Sequence, residues 1–327
     1  MKLIIQIPCF NEEDTLPETL AALPRAVTGF SQVEWLIIND GSTDGTVETA
    51  RRYGVDHIVD LAHNRGLAQA FVAGIERALE EDADVIINTD ADHQYEARDI
   101  PTLVAPILER KAEFVIGARP ITTIEHFSPI KKMLQRLGSW VVRFTSRTDV
   151  QDAPSGFRAI SREAALRLNI FDGYTYTLES IIQAGRLGIR VVSVPIRVNE
   201  DKRPSRLVRS IPRYVVRSSI SILRSLLVYR PGRVFLILGA VPLAAGLLLS
   251  ARWLFLYWSA GAGRSHVPSL IAAAVLVILG ALFWLCALLG ELVGINRRLL
   301  EDTQYQLRRD RLDARRRRHR VEKRGAA

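Results

Sequence analysis

Over roughly the first two hundred residues, short β-branched apolar runs alternate with stretches of helical periodicity. Leu3 to Ile7, Trp35 to Ile38, His57 to Asp60, Val85 to Asn88, Phe114 to Gly117 and Arg190 to Pro195 read as strands, most of them separated by amphipathic segments. Such alternation predicts an α/β fold with a mostly parallel, Rossmann-like sheet covered on both faces, and in such sheets ligands bind at the carboxyl ends of strands. The pattern then changes. Val234 to Ala251 and Val267 to Gly290 carry no charged residue, and Trp253, Tyr257 and Trp258 follow the first run as an interfacial aromatic cluster. The two runs predict a transmembrane hairpin closed by a short loop around Gly261 and Gly263.

Between these halves, Arg206, Arg209, Arg213, Arg217 and Arg224 are spaced three, four, four and seven apart, and Val208, Ile211, Val215, Ile222 and Leu226 fall opposite them. At about 100° per residue this is one basic stripe on an amphipathic helix, suited to lying in a membrane interface or packing on the neighbouring domain, with Pro212 dividing it. Four segments result: a catalytic domain over 1–205, an interface helix region over 206–232, two transmembrane helices over 233–295 and a basic tail over 296–327.

Charge and cysteine content sharpen the picture. The net charge of +9 is concentrated from Arg203 to Arg233 and after Asn296. Aromatic interleaving and nucleic-acid motifs are missing there, so anionic lipid headgroups rather than nucleic acid are the expected partner. Arginine on both outer flanks of the hairpin, against a nearly uncharged loop, predicts that the catalytic domain and the tail both lie in the cytoplasm of an inner-membrane protein. Cys9 and Cys286 are the two cysteines, which argues against a disulfide framework, and Met1 to Pro8 reads as a strand rather than a secretory signal. Gly239, Gly246 and Gly280 allow close helix packing and leave a homo-oligomer open.

Three polar clusters follow predicted strands: Pro8-Cys9-Phe10-Asn11-Glu12-Glu13, Asn39-Asp40-Gly41-Ser42 and Thr89-Asp90-Ala91-Asp92-His93-Gln94. Singly, the first two are explained as helix caps and turns. Asp90 and Asp92 are different, because neighbouring carboxylates repel unless a cation lies between them, and such a pair can hold a hard divalent ion against a diphosphate. A nucleotide donor at this site and a membrane anchor beside it suggest group transfer to a lipid.

Five motifs in order resemble those of glycosyltransferase family 2: Ile7 to Glu13, Asn39 to Thr46, Arg65-Gly66-Leu67-Ala68-Gln69-Ala70, Asp90 to Gln94, and Asp152-Ala153-Pro154-Ser155-Gly156-Phe157-Arg158-Ala159. The likeness is greatest to its polyprenyl-phosphate glycosyltransferases, the group of dolichyl-phosphate mannose synthase and bacterial undecaprenyl-phosphate glucosyltransferases, and covers about residues 1 to 206. It implies a GT-A fold and inverting transfer of a hexose from a GDP-mannose-type or UDP-glucose-type nucleotide sugar to a polyprenyl phosphate. It further implies that Pro8, Asn11, Glu12, Asp40 and Asp90 line the nucleotide site and that Asp90, Asp92 and Gln94 hold Mg²⁺ or Mn²⁺. By the same likeness, Asp152 and Arg119 act at the reaction centre beside Asp92, and Arg119, Arg158, Arg203, Ser205 and Arg206 meet the acceptor phosphate or lipid. Lys131 and Lys132 are additional basic candidates. Asn39 stands where the family usually has an aspartate, and the ending Arg203-Pro204-Ser205-Arg206 departs in spacing from the mannose synthases.

Other readings account for less. A processive polysaccharide synthase shows Gln-x-x-Arg-Trp where this chain has Gln183-Ala184-Gly185-Arg186-Leu187, and two spans are few for a polymer channel. A nucleotidyltransferase would bring a glycine-rich, lysine-bearing phosphate loop near the first strand. A non-catalytic lipid-surface scaffold would not need both acids.

Overall fold

The computed structural model describes residues 1–120, 142–143, 146, 148–170, 176–199, 220, 227, 231–260 and 267–325, with side chains to 315 in the last stretch. The chain divides into two compact units, one comprising Met1–Ser219 with Thr303–Ala327, the other Ile220–Asp302.

The first unit is built on a seven-stranded sheet of order β3-β2-β1-β4-β6-β5-β7. Its strands are β1 (Lys2–Cys9), β2 (Gln32–Asn39), β3 (His57–Asp60), β4 (Val85–Asn88), β5 (Phe114–Ala118), β6 (Arg158–Ser161) and β7 (Val191–Pro195). All pairs are parallel except those of β6, which runs antiparallel between β4 and β5. The sheet is therefore mixed and mostly parallel. The sequence pattern does not reveal β6, whose four residues begin with an arginine and end with a serine. Near-continuous apolar runs such as Leu3-Ile4-Ile5 and Leu36-Ile37-Ile38 are completely buried, the burial expected of parallel strands covered on both faces.

Helices α1 (Leu16–Ala22), α2 (Thr46–Arg52), α3 (Leu67–Glu80), α4 (Ile100–Leu108), α5 (Arg162–Arg167) and α6 (Tyr176–Arg186) supply that cover. On one face, Leu16 and Leu20 of α1 with Ile100, Leu103 and Val104 of α4 join Leu3, Ile5 and Ile7 in the core. On the other, α3 packs on β1 and β2. Local chemistry sets several starts: Pro101 occupies the first turn of α4, and the Ser161 hydroxyl accepts the Ala164 N–H at 3.2 Å to cap α5.

The order of β2, β1 and β4 makes the crevice between β1 and β4 the point where the winding reverses, which is where open α/β sheets bind ligands. Because β6 is antiparallel, its entry loop at 152–157 emerges at the same edge of the sheet as the carboxyl ends of β1, β2 and β4.

Helices α7 (Pro231–Ala260) and α8 (Val267–Gly325) follow, and each contains a window long and apolar enough to cross a membrane. Leu248, Phe255 and Trp258 among them are 72%, 72% and 85% exposed, an arrangement that water penalises and hydrocarbon does not. Within the second unit the two helices approach backbone to backbone. A Cβ on Gly239 would lie 2.9 Å from the Gly280 carbonyl oxygen, and one on Gly246 would lie 2.9 Å from that of Ala273. The three glycines singled out in the sequence are thus used inside the hairpin, so they give no support to a second copy. Trp253 and Tyr257 stack at 5.3 Å near the end of α7.

The α8 helix runs unbroken through position 296, where the composition turns basic, and its residues 303–315 pack within the first unit. The Tyr305 hydroxyl donates to Glu163 at 2.8 Å, Arg308 reaches the Leu168 carbonyl at 3.2 Å and Glu76 at 3.4 Å, and Arg315 pairs with Glu80 at 3.1 Å. Leu312 is buried beside them. All of the expected interface region except 220, 227, 231 and 232, the loop at Gly261 and Gly263, and Arg203, Ser205, Arg206, Lys131 and Lys132 lie outside the described residues.

Candidate active site

The first two strand ends are stitched together. Asn11, in the left-handed region at φ 54°, receives the Thr43 N–H on Oδ1 at 2.8 Å and donates its own N–H to the Ser42 hydroxyl at 2.9 Å. The Glu12 N–H reaches the Thr46 hydroxyl at 3.0 Å, and Glu13 accepts the Gly45 N–H at 2.9 Å. Buried Asp40 accepts the Arg65 and Gly66 N–H groups at 2.8 and 2.9 Å, which fixes the turn at the start of α3. Asn39, in the place of the family's aspartate, donates to Asp60 at 2.7 Å and accepts from Ser42. Asn11, Glu12 and Asp40 therefore tie the carboxyl ends of β1 and β2 together, with Asp40 acting through backbone it holds, and Pro8 pairs with Ile38 of β2 just before them.

Asp90 lies at the carboxyl end of β4, against the 152–157 loop. A Cβ on Gly156 would stand 2.8 Å from both Asp90 carboxylate oxygens, so only glycine lets that loop approach so closely. The Tyr95 hydroxyl accepts the Gly156 N–H at 2.9 Å and hydrogen-bonds Asp90. Asn88 donates to the Gly156 carbonyl at 2.8 Å and accepts from Gln6 at 2.9 Å, so the Gly156 peptide is held at both ends. Burial, reinforced by the charge of Asp92, raises the Asp90 pKa to about 7. The Tyr95 phenol is pushed up as well, by burial and then by Asp90.

Asp92 is exposed and accepts the Gln94 N–H at 3.2 Å. Among the described residues no group of three or more His, Cys, Asp or Glu side chains gathers as a cage. Two carboxylates that repel each other on an open crevice nevertheless fit a cation whose remaining ligands are diphosphate oxygens and water, the usual arrangement for Mg²⁺.

Opposite stands an ion pair. Asp152 is fully buried and receives Arg119 through Nε at 2.7 Å and Nη2 at 3.1 Å, a bidentate contact to which the Arg119 backbone N–H adds a third bond at 3.3 Å. Burial opposes the Arg119 charge, but Tyr95 and Asp152 outweigh it and raise the guanidinium pKa above its ordinary value. Arg119 keeps a small exposed face, at 11%.

Arg158 departs from its expected place. It is completely buried, donating to the carbonyls of Ser155 at 2.6 Å, Ala153 at 2.7 Å and Thr177 at 2.9 Å and to the Ser180 hydroxyl at 2.7 Å. A guanidinium so enclosed cannot meet an acceptor phosphate; it holds the loop carrying Asp152. Tyr95 and Asn88 carry no charge and escape a search for charged motifs, although their positions close to Asp90 in sequence are the signal that could have found them; Gly156 stands in the fifth motif, but its contact with Asp90 does not show there.

A mostly parallel sheet whose strand ends carry polar clusters, with paired acids within charge range of a buried Arg119–Asp152 pair, defines a GT-A class of fold. Residues 4–173 match the model of glycosyl transferase family 2, and the chain belongs to that family. An undecaprenyl-phosphate mannosyltransferase of Micrococcus luteus is 30% identical over 206 residues, which are 60% of this chain and 83% of that one. Polyprenol monophosphomannose synthase of Mycolicibacterium smegmatis is 26% identical over 210 residues, 61% of this chain and 78% of the relative. In fold, the chain is similar to glucosyl-3-phosphoglycerate synthase of Mycobacterium tuberculosis, solved with Mn²⁺, UDP and glucosyl-3-phosphoglycerate, at TM-score 0.53, 20% identity and coverage of 68% and 79% of the two chains.

Proposed function

We propose that this glycosyltransferase moves a hexose from a nucleotide sugar to a polyprenyl phosphate at the cytoplasmic face of a membrane. The observation that carries the reading is the crevice between β1 and β4. At its edge Asp90, with Asp92 two residues on, lies within charge range of the Arg119–Asp152 pair, in a chain that also bears two helices fit to span a bilayer. The names of the Micrococcus luteus and Mycolicibacterium smegmatis relatives support the acceptor and favour mannose as the sugar.

In this reading Pro8, Asn11, Glu12 and the turn held by Asp40 receive the nucleoside, and Asp90, Asp92 and Gln94 face the donor diphosphate. Mg²⁺ or Mn²⁺ bound there would neutralise the charge developing on the leaving nucleoside diphosphate. Asp152, buried behind Arg119, acts through that arginine, which it holds rigidly and which offers positive charge to the incoming acceptor. A phosphomonoester has its second pKa near 6, so the acceptor arrives already anionic and attacks the anomeric carbon without a strong general base. Attack on the face opposite the leaving group inverts that carbon. Arg203, Ser205 and Arg206 complete the acceptor side. Domain limits of 1–205, 206–232, 233–295 and 296–327 accompany this assignment.

Membranes holding the full chain, incubated in parallel with labelled GDP-mannose and UDP-glucose plus polyprenyl phosphate, should send one label into the organic phase. Label in a water-soluble product, or none from any donor, overturns the reading.

A further inference from the structure

After β7 the chain runs alongside the segment that bears the paired acids. Asp99 is buried and takes the Arg197 backbone N–H at 2.6 Å and the Arg197 guanidinium at 2.7 and 3.0 Å. Val198 bridges Tyr95 in antiparallel fashion. Asn199 then makes three contacts with one short loop. Its N–H donates to the Gln94 carbonyl at 2.9 Å, and its carboxamide Nδ2 donates to the His93 carbonyl at 2.9 Å and the Tyr95 carbonyl at 3.4 Å.

That loop is strained. His93 has φ 57°, in the left-handed region that side chains other than glycine seldom adopt, and it lies between Asp92 and Gln94. A conformation of this kind persists where surrounding contacts over-determine it. The Asp92 carboxylate, accepting the Gln94 N–H, fixes one side of the turn, and the only described side chain that donates to the carbonyls on its other side is Asn199.

We infer that Asn199 is a positioning residue for the metal loop: by donating to the carbonyls of His93 and Tyr95 it keeps Asp92 and Gln94 turned toward the crevice. The inference rests on the reading of that loop as the metal and diphosphate site. Two carbonyls facing one carboxamide require a donor, so aspartate, nearly identical in shape, turns attraction into repulsion. Loss of a hydrogen bond behind a metal ligand typically costs about tenfold or more in metal affinity.

Full-length Asn199→Asp and Asn199→Ala proteins in detergent can be compared with wild type by hydrogen exchange without metal and by Mn²⁺ titration, with bound ion followed by electron paramagnetic resonance in the presence of nucleoside diphosphate. Amides of residues 92–96 should exchange about tenfold faster in both variants while those of β1 and β4 are unchanged, and the Mn²⁺ dissociation constant should rise by about the same factor. Unchanged exchange at 92–96, or acceleration spread evenly over the sheet, overturns the inference. The exchange result stands whether or not wild type transfers sugar, so failure of the glycosyltransferase reading is told apart from failure of the role given to Asn199.

Discussion

Asp90 and Asp92 show how a site can work against the stability of the fold that carries it. Without a cation, burial and the neighbouring carboxylate raise Asp90 to about 7, so the folded state holds a proton that the unfolded chain has released above about pH 4. The folded state binds more protons in that window, so stability falls as pH rises from about 4 to 7 and then levels. Asp90→Asn, neutral throughout, should remove that slope. In chelator, its melting temperature should exceed wild type by several degrees more at pH 8 than at pH 5, and an equal difference at both would refute the cause assigned. Asp92→Asn tests the other partner. It keeps shape and fold but removes one charge from the proposed donor-diphosphate site, so turnover should fall on the order of a hundredfold or more while the melting temperature hardly moves. Both acids were legible in the sequence, as a pair of like charges at a strand end. The burial of Arg158 was not, since the motif that contains it implies contact with the acceptor, and only the carbonyls of Ala153, Ser155 and Thr177 around it reveal how it is enclosed.

At the level of elements, β1, β2, β4 and β5 announce themselves because buried parallel strands need unbroken apolar runs, whereas β6 hides among mixed residues. Its antiparallel entry is nonetheless what delivers Asp152 to the crevice. The basic end of α8 was equally hidden. Its arginines read as a basic tail meeting anionic lipid headgroups, yet residues 303–315 pack on the catalytic unit through Tyr305, Arg308, Leu312 and Arg315. Surface ion pairs contribute little, so the apolar contact of Leu312 should dominate this docking. Leu312→Asp removes about 2 kcal/mol of burial and adds a charge, and cleavage tracks the open population when closing is fast. Trypsin should then cut after Arg308, Arg309 or Arg311 at least about tenfold faster than in wild type. Equal rates would mean that the segment is not held by this contact.

For the whole molecule, the docked end of α8 bears on the orientation of the chemistry. Residues 303–315 belong to the same compact unit as Asp90 and Asp92, and we propose that this unit lies on the cytoplasmic side of the membrane. Both outer flanks of the hairpin are rich in arginine, and carrying them across during insertion is strongly disfavoured relative to translocating the short loop between Gly261 and His266. The crevice should therefore open to the cytoplasm, where it would draw on a soluble nucleotide-sugar pool, with the acceptor phosphate reached from the inner leaflet. Single cysteines introduced as Ser265→Cys and Ala326→Cys, in a background lacking Cys9 and Cys286, distinguish the two orientations in intact cells treated with a membrane-impermeant thiol reagent. Labelling is expected at 265 and not at 326 until the membrane is permeabilised. Labelling at 326 alone would reverse the orientation and require the nucleotide sugar to be supplied outside the cell, and labelling at both in sealed cells would mean that the two apolar helices do not form a hairpin across the bilayer.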